Sequence, residues 1–124
     1  MGKLSGAMTP SVLIVDDHTT FRVTARLLLE SEGYTVVGEA EDGASAIRAA
    51  RDLGPDLILL DVQLPDTDGF DVASRLMDGE DAPMIVLTSS RDGADFGPLI
   101  ERSGARGFIP KAELSGERLR ALTG

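Results

Sequence analysis

The feature that most constrains the fold is a short apolar run that stops abruptly at an acid. Residues Leu57 to Leu60 are all apolar, and Asp61 follows them directly. An unbroken run of this length is too short for most helices and is typical of a strand covered on both faces of a parallel sheet. Asp61 is therefore predicted at the carboxyl end of a buried strand, where open α/β sheets bind their ligands. A helix cap or a solvated loop acid is the competing interpretation of a single Asp.

A second apolar run, Val12 to Val15, also ends in acids, Asp16 and Asp17. Two adjacent carboxylates at a strand end repel each other unless a positive charge lies nearby. Capping of the next helix by Asp17 explains one acid but not both. The pair therefore indicates a cation site. His18 follows the pair and is interpreted as a surface histidine rather than a general base or a ligand.

Strands and helices alternate along the rest of the chain. Apolar residues recur at helical spacing between the apolar runs, and Gly and Pro mark the ends of the segments. This alternation predicts an α/β fold of the (βα)5 type, a three-layer sandwich with a parallel sheet. Because the first, third and fourth strands are the most apolar, they are expected at the centre, which gives the order 2-1-3-4-5. The other strands are predicted over 34–38, 84–87 and 107–109, and the helices over about 19–32 and 43–53, from Gly69, from Gly97 or Pro98 to about 104, and after Ser115.

The composition restricts the partners of the chain. Twelve basic and 21 acidic residues give a formal charge of −9, which argues against direct contact with nucleic acid. The chain has no Cys and one His, so disulfides, thiolate metal sites and multi-histidine metal sites are excluded. No apolar run has transmembrane length, so a membrane is not expected as a partner and a cytoplasmic location is predicted. Residues 1–10 lack the apolar core of a signal peptide and are interpreted as a flexible leader or tag remnant before a single domain over 11–124.

The predicted strand ends bring five polar side chains to one edge of the sheet: Asp16, Asp17, Asp61, Thr88 and Lys111. Taken singly, Thr88 is an ordinary helix cap and Lys111 an ordinary solvated lysine. Three converging carboxylates, however, call for a hard divalent cation such as Mg²⁺. A carboxylate beside Mg²⁺ and an ammonium group can attack phosphorus, while Lys111 and the Thr88 hydroxyl offset the charge of the phosphoryl oxygens. The product of this chemistry is an acyl phosphate on Asp61.

Several motifs surround these strand ends. They are Val15-Asp16-Asp17-His18, the segment 37–43, Asp61 with Leu64-Pro65 and Gly69, Thr88-Ser89, and the segment 104–111 that ends in Lys111. In combination they resemble the receiver domain of bacterial two-component response regulators, and most closely the receivers joined to LuxR-type helix-turn-helix domains. The resemblance covers about residues 11–122.

The resemblance implies a flavodoxin-like fold and a role for each site residue. Asp61 is the implied phosphoacceptor, Thr88 and Lys111 contact the phosphoryl group, and Thr88 and Phe108 form the switch. The implied Mg²⁺ ligands are Asp16, Asp17, Asp61 and the backbone carbonyl of Gln63. Phe108 is also an ordinary core aromatic, and the two interpretations of it are compatible.

The resemblance also implies partners. A histidine kinase or phosphotransfer protein donates the phosphoryl group, and the face formed by the fourth helix, the fifth strand and the last helix carries output. That face is also the implied site of a homodimer. The only catalysis implied is the chain's own phosphorylation and dephosphorylation, so we do not expect a metabolic enzyme. Gly97-Pro98 in the fourth helix departs from the family pattern at this face.

Two alternatives remain open from the sequence. The chain could act unphosphorylated, as a protein-interaction module. It could also be a Mg²⁺-dependent aspartyl phosphohydrolase of the haloacid dehalogenase type. That chemistry requires a second Asp two residues after the nucleophile, and this position is Gln63. A single-domain protein and part of a longer regulator both fit the sequence.

Overall fold

Strands and helices alternate along residues 10–79, 81–90 and 96–124, which are the residues that this computed structural model describes. The predicted leader falls mostly outside them, at residues 1–9. The elements, in chain order, are β1 (Ser11–Val15), α1 (Thr19–Ser31), β2 (Thr35–Ala40), α2 (Gly43–Leu53), β3 (Leu57–Asp61), α3 (Gly69–Met77), β4 (Met84–Ser89), α4 (Gly97–Ser103), β5 (Gly107–Pro110) and α5 (Gly116–Thr123). A 3₁₀ turn over Lys111–Glu113 separates the last strand from the last helix.

The five strands form one parallel sheet in the order β2-β1-β3-β4-β5, which confirms the predicted topology. All five residues of β3 are buried. Its side chains alternate between the two faces, so Ile58 and Leu60 join one core cluster while Leu57 and Leu59 join the other. Because helices cover both faces, the central strand needs apolar residues at every position, and this accounts for the unbroken run in the sequence.

Strand β2 extends further than the sequence predicts. The sequence predicts that this strand ends at Gly38 and that Glu39 begins the next loop, but the strand continues through Glu39 to Ala40. The register with β1 shifts after Val12 and then pairs Ile14 with Glu39 and Val15 with Ala40. The prediction was wrong because it relied on side-chain polarity, whereas the backbone of this edge strand keeps pairing with β1. The extension brings Glu39 to the edge of the sheet where the acids lie.

The helices contain 7 to 13 residues, and none in the described ranges has the length and apolar character needed to cross a bilayer. The shortest, α4, starts at Gly97 with Pro98 in its first turn, and its last residue, Ser103, is followed by the C-cap Gly104, which has a φ of 83°. Its late start and early end confirm the prediction for this segment. Helix α5 follows Ser115, whose side chain accepts a hydrogen bond from the Arg118 backbone N–H (3.1 Å).

Gly69 allows the loop after β3 to fold back against the end of its own strand. Its N–H donates to the Val62 carbonyl (2.8 Å). A β-carbon at this position would overlap the Asp61 carbonyl oxygen and lie 2.8 Å from the Val62 Cα. Both are backbone atoms, so the overlap cannot be relieved by a side-chain rotation. The conformation of the Asp61 strand end therefore depends on glycine at position 69.

We expect Gly69→Ala to lower the free energy of unfolding, measured by urea denaturation, by about 1–3 kcal/mol, because backbone must move to admit the methyl group. Gly97→Ala is the matched control, since a β-carbon at Gly97 meets nothing within 4 Å. We expect the control to change the free energy by no more than about 0.5 kcal/mol. Equal effects of the two substitutions would contradict this account of Gly69.

Candidate functional site

Two carboxylates lie side by side where β1 and β3 end. Asp16 follows Val15, whose register partner in β3 is Leu60, and Asp61 is the next residue of β3. The exposed fractions of Asp16 and Asp61 are 0% and 2%. Two acids this deeply buried lose most of their hydration, so they need compensation from neighbouring groups. The parallel sheet therefore creates a concentrated negative charge at one edge.

Lys111 contacts both buried acids from the end of an edge strand. It follows β5, and its Nζ lies 2.6 Å from Asp16 Oδ2 and 3.2 Å from Asp61 Oδ2. The 2.6 Å separation makes the contact with Asp16 a short ion pair. The ring of Phe21 lies 4.8 Å from the same ammonium, within the range of a cation–π interaction. The sequence predicts Phe21 only as core, so this contact was missed.

The ionisation of Asp61 and Lys111 reflects competition between burial and charge. Burial raises the pKa of Asp61, and the charge of Asp16 adds to this, while the Gln63 backbone N–H and Lys111 act in the opposite direction; the net pKa is raised. Burial alone would lower the pKa of Lys111. The hydrogen bond to Asp16 and the charges of Asp61 and Asp16 outweigh burial, so the pKa of Lys111 is raised. One ammonium is therefore firmly charged, but it does not fully compensate the two acids.

Asp17 and His18 lie at the exposed mouth of this site. The side chains of Asp17 and His18 are 37% and 67% exposed. His18 Nδ1 lies 3.0 Å from Asp16 Oδ1 and 3.1 Å from Asp17 Oδ1. His18, not Asp17, occupies the N-cap position of α1, and its side chain makes no capping hydrogen bond. The structure therefore does not support the interpretation of Asp17 as a helix cap.

The donor set fits a hard divalent cation. Ligand atoms of Asp16, Asp17, His18 and Asp61 all lie within 4.8 Å of one another. Lys111 brings one positive charge to the three carboxylates, so the site carries excess negative charge. Carboxylate oxygens with room for water are the ligands that Mg²⁺ takes in proteins. The residues present are therefore suitable for the predicted ion.

The loop after β3 is fixed at several points. Gln63 donates its backbone N–H to Asp61 Oδ1 (3.1 Å) and forms an isolated antiparallel bridge with Asp68. The Asp66 carboxylate accepts two backbone N–H groups at the start of α2, at 2.7 and 3.1 Å. These contacts hold Gln63 next to Asp61. Metal binding by the Gln63 carbonyl stays a prediction.

Thr88 lies next to Asp61 on the neighbouring strand. The two residues are register partners in β3 and β4, so their side chains point to the same face of the sheet. Thr88 is 1% exposed, and its Oγ1 has no hydrogen-bond partner within the described ranges. It lies inside β4, whereas Phe96 is the N-cap of α4, so the interpretation of Thr88 as a helix cap is not supported. A buried hydroxyl without a partner marks a position where a ligand atom could bind.

Phe108 is half-buried in β5 and belongs to a row of aromatic rings. Its ring centroid lies 5.8 Å from that of Phe96, which in turn lies 5.5 Å from that of Phe70. The register partner of Phe108 in β4 is Leu87, the residue before Thr88. The row therefore connects β5 and the start of α4 to α3 beside the Thr88 strand end.

An arginine–glutamate network supports the backbone of Asp16, and sequence reasoning missed it. Arg22 donates from Nη1 to the Asp16 carbonyl (2.6 Å) and from Nε to Glu39 (2.9 Å), and Arg26 donates to the other Glu39 oxygen (2.8 Å). The hydrogen bond from Arg26, assisted by Arg22, lowers the pKa of Glu39. The spacing of Arg22 and Arg26 puts both on one face of α1, but the signal was lost because Glu39 was assigned to a loop.

Comparison with known proteins identifies a matching family. Residues 12–123 match the family model described as the response regulator receiver domain. Transcriptional regulatory protein YdfI of Bacillus subtilis is 40% identical over 101 residues, which are 81% of this chain and 47% of that protein. Transcriptional regulatory protein PdtaR of Mycobacterium tuberculosis is 35% identical over 126 residues, which are 94% and 62% of the two chains.

A solved structure is also similar over most of the chain. The crystal structure of a LuxR-family two-component response regulator from Aurantimonas sp. SI85-9A1 aligns with a TM-score of 0.84 and 30% identity, over 94% of this chain and 84% of that chain. The chain spans only 47% and 62% of the two relatives named above.

We expect Thr88→Val to raise the free energy of unfolding of the unphosphorylated protein by about 1 kcal/mol, because valine fills the same space without burying an unpaired hydroxyl. Thr88→Ser keeps a hydroxyl and serves as the comparison; it should not stabilise the protein. Urea denaturation of the three proteins is the measurement. A valine variant less stable than wild type would show that the Thr88 hydroxyl already has a partner.

Proposed function

Because the chain belongs to the response regulator receiver family, we propose that it is a signalling switch that accepts a phosphoryl group on Asp61. A receiver domain implies a phosphodonor partner, and we propose a histidine kinase or a phosphotransfer protein in this role. The observation that carries the proposal is the ammonium of Lys111, shared between the buried carboxylates of Asp16 and Asp61. That arrangement places a nucleophilic oxygen beside groups that can bind phosphoryl oxygens.

In the proposed reaction a carboxylate oxygen of Asp61 attacks phosphorus. A new P–O bond forms while the P–N bond of the donor phosphohistidine breaks, and the imidazole leaves. Lys111 Nζ, already 3.2 Å from Asp61 Oδ2, binds the transferred phosphoryl group. The Gln63 backbone N–H, on Asp61 Oδ1, holds the carboxylate in a fixed orientation. Positioning and charge compensation are the main contributions that a protein makes to phosphoryl transfer.

Asp16, Asp17, Asp61 and the backbone carbonyl of Gln63 would hold Mg²⁺. When bound, the ion offsets negative charge on the carboxylates and on the phosphoryl oxygens. The burial of Asp16 and Asp61 supports this assignment, because Lys111 alone leaves the site negative. Arg22, through its hydrogen bond to the Asp16 carbonyl, keeps the backbone of the acid pair in place.

We propose that Thr88 and Phe108 carry the switch. The unpaired Thr88 hydroxyl is on the same face of the sheet as Asp61, so a phosphoryl group on Asp61 offers it an acceptor. Phe108 is the register partner of Leu87, the residue before Thr88, so movement of the Thr88 strand end would be felt by the Phe108 ring, which packs on Phe96 at the start of α4. A local charge change would then alter the face formed by α4, β5 and α5. This face is our proposed output surface and homodimer site.

The proposal is tested by intact mass after incubation with Mg²⁺ and acetyl phosphate. We expect one added phosphoryl group on the wild-type chain and none on Asp61→Asn, which cannot form the acyl phosphate. Asp52→Asn changes an exposed acid of α2 and is the matched control; it should be phosphorylated like the wild type. A phosphoryl group on Asp61→Asn, or none on any variant even with a phosphorylated histidine protein as donor, would refute the assignment of Asp61.

A further inference from the structure

The ammonium of Lys111 has an aromatic partner as well as its two carboxylates. Its Nζ lies over the ring of Phe21, 4.8 Å from the ring centroid, while Asp16 Oδ2 and Asp61 Oδ2 are 2.6 and 3.2 Å away. Attraction between an ammonium and an aromatic face extends to about 6 Å and strengthens as water is excluded. The side chain of Lys111 is only 15% exposed, so this contact is largely shielded from water.

Phe21 has a fixed position beside the site. It is the third residue of α1, and its half-buried side chain packs against the core cluster that includes Ala25 of the same helix and Ile109 of β5. The next residue, Arg22, connects this turn of the helix to the site, because its Nη1 donates to the Asp16 carbonyl (2.6 Å). The ring therefore lies on a part of α1 that is anchored to the end of β1.

The ammonium of Lys111, in contrast, depends on its partners for its position. Lys111 begins the 3₁₀ turn after β5, and a lysine side chain is a flexible four-carbon stem that ends in a point charge. The two carboxylates attract this charge, but their contacts change in the proposed reaction. When Asp61 takes a phosphoryl group, one of its oxygens becomes part of the acyl phosphate, and Lys111 has to bind the phosphoryl oxygens instead.

The ring of Phe21 is a partner that does not change in this step. Its face attracts a cation but offers no lone pair, so it does not fix the direction of the N–H bonds. The ammonium can therefore turn its protons from the carboxylates to the phosphoryl oxygens and keep its contact with the ring. A leucine in place of Phe21 would pack against the core but would not attract the charge.

We propose that Phe21 is a positioning residue for phosphoryl transfer, because its ring face holds the ammonium of Lys111 beside Asp61 before and during the reaction. The kinetic consequence rests on the proposed function of Asp61, whereas the contact between Phe21 and Lys111 does not. The competing interpretation, that Phe21 is only a core side chain, predicts that an apolar residue without a ring serves equally well. The two interpretations therefore differ in the expected effect of Phe21→Leu on the site.

The contact is tested by NMR on the unphosphorylated, Mg²⁺-free protein. The ε-methylene protons of Lys111 should have an upfield shift, because the Nζ next to them lies over the Phe21 ring. This shift should be lost in Phe21→Leu and kept in Phe21→Tyr, which retains the ring. Lys111 signals that are the same in Phe21→Leu and in the wild type would overturn the proposal.

The positioning role is tested by the rate of phosphorylation by acetyl phosphate over a series of Mg²⁺ concentrations. Phe21→Leu should lower the rate at saturating Mg²⁺ about fivefold, the rate equivalent of one cation–π contact, and Phe21→Tyr should restore it. The Mg²⁺ concentration that gives half of the maximal rate should change little, because Lys111 is not among the proposed Mg²⁺ ligands. Equal rates for Phe21→Leu and the wild type would refute the positioning role.

Met84→Ala is the control for a general loss of core packing. Met84 packs against the same core cluster as Phe21, but it is the first residue of β4, at the opposite end of the sheet from Lys111. This variant should leave the rate at saturating Mg²⁺ unchanged. An equal loss of rate in Met84→Ala, or a defect of Phe21→Leu that consists only of weaker Mg²⁺ binding, would reveal a structural effect and overturn the proposal.

The outcomes separate this inference from the proposed function. A chain that shows the ring contact by NMR but is never phosphorylated, by acetyl phosphate or by a phosphorylated histidine protein, would refute the proposed function and with it the kinetic role of Phe21. A chain that is phosphorylated on Asp61 equally fast in the wild type and in Phe21→Leu would refute only this inference.

Discussion

Two buried carboxylates that share one ammonium are the constraint on which the rest of the site depends. Asp16 and Asp61 lie on neighbouring parallel strands and have almost no exposure to water, and Lys111 contacts both. Burial raises the pKa of Asp61 in spite of Lys111, so the charge of this acid is only partly compensated. The unpaired hydroxyl of Thr88 adds a second cost beside it. Features that oppose stability are expected where a fold keeps groups ready for a ligand.

Backbone contacts hold this unfavourable arrangement in place. The Asp16 N–H donates to the Ala40 carbonyl at the end of β2, and Val62, directly after Asp61, donates to the Thr88 carbonyl. Helix α1 contributes from the outside, where Arg22 binds the Asp16 carbonyl. The sheet thus provides rigid strand ends, and its neighbours hold the acids together against their mutual repulsion. This is why a parallel α/β sheet is a suitable scaffold for converging charges.

The apolar runs predicted the strand order and the proximity of Asp16 and Asp61. Each run reads as a buried strand, and each stops at a polar residue that lies at the carboxyl end of that strand. What could not be predicted depended on tertiary contacts. Glu39 looked like a loop residue because Glu41 and Asp42 follow it closely, yet its backbone pairs with β1. The contact of Phe21 with Lys111 joins residues far apart in the sequence, and apolar periodicity assigns an aromatic side chain simply to the core. Side-chain patterns report burial, whereas these contacts depend on the register of an edge strand and the reach of a lysine.

The most direct test of the central claim is the free energy of unfolding of the wild type and of Asp61→Asn at neutral pH, with Mg²⁺ and with a chelator. In chelator we predict that Asp61→Asn is the more stable protein, because the raised pKa of Asp61 means that folding disfavours its charged form at neutral pH, while Lys111 keeps Asp16 as a partner. Mg²⁺ should stabilise the wild type, as any ligand of the native state does, and reduce or reverse the difference. A wild type that is more stable than Asp61→Asn in chelator and does not respond to Mg²⁺ would show that Lys111 alone compensates the acids, and would contradict the account.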